Sequence, residues 1–150
     1  MAFLDHLTIN LSPAKIEELT ERLELVEHKI KFMDRPTVAC LNAEASPNFY
    51  LSEEIALAGG MVGRDVFAAV FIVFYEPDKT LTDLMREVPS LLNAEWPAVK
   101  NNRVILLNDD VNRSLTAENA VALIEDMAEM IHPGTFVFGH EGDKWIRFSI

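Results

Sequence analysis

The sequence has a single cysteine, Cys40, and it has neither a glycine-rich phosphate loop nor a basic tract. One cysteine excludes an internal disulfide and any cysteine-rich metal site. Acidic residues outnumber basic ones by 24 to 13, which gives a formal net charge of −11 at pH 7. Because a negative field repels phosphate backbones and anionic lipid surfaces, we expect no nucleic-acid partner.

No hydrophobic run is long enough to cross a membrane as a helix. The longest, from Val66 to Tyr75, is about half of the roughly 20 residues that a membrane helix requires, so we interpret it as a buried strand. The first residues lack the basic start and the apolar stretch of a secretory signal. We therefore expect a cytoplasmic protein without membrane insertion, or a periplasmic one if the chain is a mature or truncated form.

The residue types that carry catalysis are present but are not arranged for it. Cys40 falls in a predicted buried strand, where its thiol is expected to be protonated and inert. The four histidines lie in four different predicted elements without metal-ligand spacing, and no serine has nucleophile-elbow spacing. The adjacent acidic pairs Glu53-Glu54 and Asp109-Asp110 have diverging side chains. We therefore predict a protein that is not an enzyme, with no metal and no cofactor.

A long amphipathic helix is predicted within residues 1–34, after a short extended arm. Ser12 is typical of a helix cap and Pro13 of a first helical turn. Apolar residues then recur at spacings of three and four, which fits a helix of about five turns. This heptad stripe consists of Ile16, Leu19, Leu23, Val26, Ile30 and Met33. It indicates either a helix that packs on its own domain or a homodimer formed through Leu19, Leu23, Val26 and Ile30.

Residues 35–150 alternate buried strands with amphipathic helices. The apolar runs TVACLN, VFIVFY and RVILL predict three strands, and helices are predicted after each of the first two and from Thr116. This alternation predicts a single α/β domain with a mostly parallel sheet and helices on both faces, a Rossmann-like three-layer arrangement. The final stretch, TFVFGHEGDKWIRFSI, alternates around a glycine-bounded turn and predicts an antiparallel β-hairpin at one edge.

Ligands in such sheets bind beyond the carboxyl ends of the strands, where the chain turns toward the next helix. The sequence has three loops of this kind, which cover residues 42–50, 75–78 and 108–113. Trp96 precedes its strand, so we place it at the opposite edge as a structural corner beneath the turn that Pro97 begins.

Three stretches carry a resemblance to a known family. RPTVACLNAEASPNFYLSEEIALAGG, from Arg35 to Gly60, reads as strand, loop, helix and paired glycine. WPAVKNNRVILLN contains a proline-alanine-valine turn before a basic residue and a strand, and AENAVALIEDMAEMIHPGTF is a helix that closes on histidine-proline. In their order these motifs resemble the carboxy-terminal lobe of the ABC-importer solute-binding proteins for cobalamin, haem and siderophores, whose two lobes are joined by one long helix.

The resemblance implies a solute-binding lobe for a metal chelate, namely a corrinoid, haem or a ferric siderophore. Aromatic side chains would supply flat apolar area to such a ligand, and polar groups would orient its edges. Carried over position by position, it implies a site formed by Asn42, Glu44, Phe49, Tyr50, Tyr75, Glu76, Asp109, Asn112 and Arg113. The family binds its ligand between two lobes, so a second copy or a partner chain would have to supply the other wall. The alternative is an interaction or dimerisation domain derived from the same fold, without a small-molecule ligand.

Overall fold

The computed structural model describes residues 7–8, 10–109 and 116–148. Its sheet contains the strands β1 (Thr37–Leu41), β2 (Met61–Gly63), β3 (Phe71–Phe74), β4 (Val104–Leu107) and β5 (Trp145–Phe148). Their order in the sheet is β2-β1-β3-β4-β5. The pairs β1/β2, β1/β3 and β3/β4 are parallel, and β4/β5 is antiparallel. The predicted α/β fold with a mostly parallel sheet is confirmed.

Three of the helices in the described ranges begin at a side-chain cap. The helices are α1 (Pro13–Ile30), α2 (Ser52–Leu57), α3 (Leu81–Glu87), α4 (Pro97–Lys100) and α5 (Ala117–Ile131), with a 3-10 turn at Pro89–Leu91. The hydroxyls of Ser12, Thr80 and Thr116 accept the backbone N–H three residues ahead of them, and Asp83 completes a capping box at α3. None of the helices in the described ranges is both long and apolar enough to cross a membrane.

Alternate residues of the central strands enter two separate hydrophobic cores. Val38 and Cys40 of β1 face the first core, which contains the buried sides of α1, α2 and α5. Ala39 and Leu41 face the second core, which contains α3 and α4. Each fully buried Leu, Ile or Phe contributes about 1.5 to 3 kcal/mol. Helices therefore cover both faces of the sheet, as predicted.

Helix α1 packs on its own domain, against α5. Leu19, Leu23, Val26 and Ile30 are at most 5% exposed and belong to the first core. The guanidinium of Arg22 reinforces this packing, because it donates to Glu118 at 2.9 Å and to Glu125 on α5. The prediction of a homodimer through these four residues is therefore wrong, because their apolar side chains are already buried inside the same chain.

The carboxy-terminal segment contains one strand where the sequence predicted two. β5 pairs antiparallel with β4, which confirms the edge, but the first half of the predicted hairpin forms no strand. The N–H of Phe138 donates instead to the carboxylate of Glu129 at 2.6 Å, and Nδ1 of His140 lies 2.6 Å from Asp126. Polar side chains of α5 thus bind the segment that would otherwise pair with β5.

Trp96 lies at the amino end of β4, as the predicted corner requires. Its carbonyl accepts the N–H groups of Val99 and Lys100 at 3.0 Å, and its half-buried side chain packs on the second core. Asn102 ends the turn with a φ of 56°, in the left-handed region that asparagine tolerates better than most residues. Trp96 is thus separated from the three ligand loops by the length of the strand.

Candidate functional site

The strand order places a crevice between the carboxyl ends of β1 and β3. From β1 the chain goes to β2 on one side and then returns to β3 on the other side, and ligands bind at such reversals of strand order. The two strand ends are tied together, because the N–H of Tyr75 donates to the carbonyl of Leu41 at 2.9 Å. The side-chain amide of Asn48 donates to the carbonyl of Tyr75 at 3.1 Å. Loops from both strands therefore meet at one edge.

The loop after β1 is folded around the side chain of Asn42. Its Oδ1 accepts the backbone N–H groups of Glu44 at 2.9 Å and Ser46 at 3.0 Å. Ala45 between them has a φ of 60°, a left-handed conformation that needs such support. A carboxylate oxygen of Glu76 accepts the N–H of Ala43 at 3.3 Å, which joins this loop to the one that follows β3.

The loops after β3 and β4 are joined through Asp109. One carboxylate oxygen accepts the phenolic hydroxyl of Tyr75 at 3.0 Å, and the other accepts the N–H of Asp78 at 2.7 Å. Asn108 makes a similar connection, because its Oδ1 accepts the N–H of Leu81 at the start of α3 at 2.9 Å. The polar residues at this edge therefore hold the first two loops, and residues 108 and 109 at the start of the third, in fixed positions.

Two aromatic side chains remain open to solvent above these loops. Phe49 is 49% exposed and Tyr50 is 67% exposed, whereas Tyr75 is 6% exposed beneath them. The rings of Tyr50 and Tyr75 meet edge to face at a centroid distance of 6.5 Å. The guanidinium of Arg64, which follows β2, lies 5.6 Å from the ring of Phe49. The edge thus presents flat apolar area on a rigid polar base.

The structure brings the predicted site residues together wherever it describes them. Asn42, Glu44, Phe49, Tyr50, Tyr75, Glu76 and Asp109 all lie at this edge, while Asn112 and Arg113 lie outside the described residues. Sequence reasoning did not select Asn48 or Arg64, which contact these residues. Asn48 is an amide buried inside a polar loop, and this signal is visible only after folding.

The titratable groups beneath the loops are not arranged for nucleophilic chemistry. Burial raises the pKa of the Cys40 thiol to about 12, so the thiolate does not form at neutral pH. Burial, with a contribution from Glu53, raises the pKa of Glu54 to about 7. Among the residues that the structure describes, no group of three or more His, Cys, Asp or Glu side chains could hold a metal ion.

Comparison with solved structures finds the same fold in substrate-binding proteins. An ABC transporter substrate-binding protein from Listeria monocytogenes matches with a TM-score of 0.60 and 22% identity over 77% of this chain and 55% of its own. A periplasmic binding protein from Veillonella parvula matches with a TM-score of 0.60 and 15% identity over 78% of this chain and 49% of its own. Helicobacter pylori CeuE, with Ni(II) bound, matches with a TM-score of 0.60 and 17% identity over 81% of this chain and 46% of its own.

This chain spans about half the length of these structures. No protein-family model matches it, and no curated protein sequence matches it significantly. At these identities the likeness shows a shared fold. The resemblance to part of an ABC-importer solute-binding protein, predicted from three sequence motifs, is confirmed at that level.

Proposed function

We propose that this chain is a non-catalytic solute-binding lobe and that the carboxyl edge of its sheet is one wall of the ligand site. Phe49 and Tyr50 would contact the flat face of a corrinoid, haem or ferric siderophore. Glu44, with Asn112 and Arg113 from the third loop, would contact its polar rim. Asn42, Tyr75, Glu76 and Asp109 would hold the loops in the geometry that binding requires.

A single observation carries the proposal, namely that Phe49 and Tyr50 are exposed at the edge where three strand ends meet. Neighbouring exposed aromatics on a polar base are typical of a binding surface. The loops below are cross-linked by Asp109 and Glu76, so little conformational entropy would be lost on binding. The shared fold with substrate-binding proteins supports the same assignment.

One wall is not a closed site, so the proposal includes a second component. A second copy of this chain or a partner chain would cover the ligand and bury its other face, since ligand sites bury most of the surface of their ligand. Metal chelation is assigned to the ligand rather than to the protein, because no group of three or more His, Cys, Asp or Glu side chains among the described residues could hold a metal ion. The Veillonella neighbour is named as a periplasmic protein, which supports a periplasmic location for this chain.

Titration with candidate ligands tests the proposal. In a Trp96→Phe background, Trp145 is the only tryptophan, and it pairs with Leu107 directly below the loop that follows β4. We expect cyanocobalamin, haemin or a ferric catecholate to change its emission saturably, after correction for ligand absorption. A double variant, Phe49→Ala with Tyr50→Ala, should weaken that binding at least about tenfold, because stacked aromatics dominate contact energies.

Leu25→Ala is the control, because Leu25 is 55% exposed on α1 and belongs to neither candidate site. It should leave the affinity unchanged. Absence of a saturable response to all three ligands, or equal weakening by Leu25→Ala, would count against the proposal.

The alternative function is an interaction domain without a small-molecule ligand. The heptad stripe is buried, so such a domain would have to use another surface. The exposed aromatics at the carboxyl edge would then contact a protein. Self-association that the Phe49 and Tyr50 substitutions abolish, without binding of any chelate, would favour this alternative.

A further inference from the structure

A second candidate site lies at the amino edge of the sheet, at the opposite end from the ligand loops. A shallow cavity of about 500 Å³, open to solvent on one side, lies there between the end of α1 and the starts of β3 and β4. Its volume falls within the range of roughly 300 to 1,000 Å³ that is common for small-molecule sites. Its apolar lining includes Phe32, Met33, Val70, Phe71 and Ile131.

Arg103 lines this cavity and holds its guanidinium against an aromatic ring. It lies over the ring of Phe71, 5.3 Å from the ring centroid, and it forms no hydrogen bond or ion pair with the residues that the structure describes. Contact with the ring face restrains the guanidinium, and its N–H donors have no acceptor among the described residues. A guanidinium held in this way binds a carboxylate through two parallel hydrogen bonds.

The charges around the cavity favour an anion, although the whole chain is strongly acidic. Lys31 lies 5.4 Å from the centroid of the Phe32 ring and so adds a second cation near the cavity. Asp34, which also lines the cavity, is the one carboxylate in its lining. Arg103 and Asp34 offset each other within the lining, and Lys31 beside Phe32 shifts the balance toward positive, in a chain whose net charge is −11. This balance favours a singly charged anion over a polyanion, which Asp34 would repel.

We propose that this cavity binds a small apolar monocarboxylate, with its carboxylate on Arg103 and its hydrocarbon or aromatic body against Phe32, Val70 and Phe71. The proposal is independent of the function assigned to the carboxyl edge, because no residue is shared between the two sites. The apolar body would cover Phe32, whose ring is 92% exposed without a ligand. A site at this position would serve as a second ligand or effector site of the lobe.

The experiment is a titration of the 15N-labelled protein with 3-phenylpropanoate, followed by two-dimensional NMR. We expect saturable shifts for the amides of Met33, Phe71 and Arg103, and no such shifts with the uncharged 3-phenylpropanamide. Arg103→Gln should weaken binding at least about tenfold, the effect of losing a charge-assisted hydrogen bond. Arg86→Gln, at a 71% exposed side chain on α3, should bind like the wild type.

Phe32→Ala should weaken binding several-fold while the spectrum stays that of a folded protein. The proposal is overturned if no saturable shifts occur at these amides, or if Arg103→Gln binds as tightly as Arg86→Gln. It is also overturned if 3-phenylpropanoate fails to bind while Phe32→Ala abolishes self-association, because that result would assign the surface to a second copy of the chain. Shifts at Phe49 and Tyr50 alone would place the carboxylate at the other edge and would contradict the proposal as well.

Discussion

The phenolic hydroxyl of Tyr75 donates to a carboxylate oxygen of Asp109 at 3.0 Å, and this bond joins the loops that follow β3 and β4. Tyr75 is 6% exposed, whereas Tyr50, which meets its ring, is largely in solvent. The two tyrosines therefore have different tasks. Tyr75 fixes the base of the edge, and Tyr50 provides surface on top of it.

Tyr75→Phe should lower the free energy of unfolding by about 1 kcal/mol, because it removes one hydrogen bond to a carboxylate and keeps the ring. Urea unfolding measures the loss. Tyr50→Phe is the matched control and should be neutral, since its exposed hydroxyl makes no bond within the described part of the chain. Equal stability of the two variants would show that the Tyr75–Asp109 bond does not hold the loops.

Gly59→Ala should be more destabilising than Gly134→Ala. Both glycines have left-handed φ values, 94° and 85°, so alanine costs about 1 to 2 kcal/mol of backbone strain at either position. At Gly59 an added Cβ would also lie 2.6 Å from Nε2 of His132, whereas at Gly134 it would meet nothing within 4 Å. This contact should add about 1 to 3 kcal/mol. Chemical denaturation of both variants isolates that difference, and equal losses would rule out the close packing of His132 on Gly59.

Leu23→Asp should unfold the protein rather than dissociate a dimer. Leu23 is 3% exposed between α1 and α5, so a carboxylate there loses apolar burial and is itself desolvated. The expected cost exceeds about 4 kcal/mol, which is close to the whole stability of many domains. Leu25→Asp, at a side chain that is 55% exposed, should change stability by less than about 0.5 kcal/mol. A folded Leu23→Asp variant in circular dichroism would contradict the packing of α1.

The stability of the Glu54→Gln variant relative to the wild type should increase as the pH rises. The pKa of Glu54 is raised from its ordinary value of 4.5 to about 7, first by burial and then by Glu53, so the folded state holds a proton that the unfolded state has lost. The stability that protonated Glu54 contributes is fully present below pH 4.5 and is lost as the pH rises through 7. The wild type should therefore lose stability relative to Glu54→Gln over this interval.

Thermal unfolding of both proteins at a series of pH values measures this difference. Glu53→Gln should reduce the loss, because it removes the like charge that contributes to the raised pKa of Glu54. If the difference in stability between the wild type and Glu54→Gln stays constant from pH 4.5 to 7, Glu54 is solvated in the folded protein.

Features that depend on neighbouring residues in the sequence were predicted well. Ser12, Thr80 and Thr116 cap the helices where the pattern placed them, because a cap is a contact within three residues. The central strands were predicted from their β-branched runs. The strand β2 was missed, since Met61–Gly63 is only three residues long and ends in glycine.

Features that depend on distant contacts were predicted less well. The heptad stripe has the same spacing whether its partner is α5 or a second chain, so the sequence left both alternatives open. The predicted hairpin does not form, because the N–H of Phe138 donates to the carboxylate of Glu129 on α5. Alternation along a strand does not reveal such a competitor.

The meeting of the strand-end loops at one edge was predicted, but the contacts within those loops were not. Parallel strands bring their carboxyl ends to one edge, so the three loops were expected to meet there. The role of each polar residue was not predictable. Asp109 accepts the N–H of Asp78, which is distant in the sequence. Asn42 accepts the N–H of Ser46 in an irregular loop, whose shape is set only when the chain folds.

Mapping a bound ligand on the protein tests the central claim most directly. The 15N-labelled protein would be titrated with cyanocobalamin, which is diamagnetic, and each backbone amide would be followed by two-dimensional NMR. The account predicts saturable shifts at Ala43, Glu44, Tyr50 and Asp78, and none at Met33 or Trp96. Saturable shifts confined to the amino edge, or an unchanged spectrum when the same titration is repeated with haemin and a ferric catecholate, would contradict it.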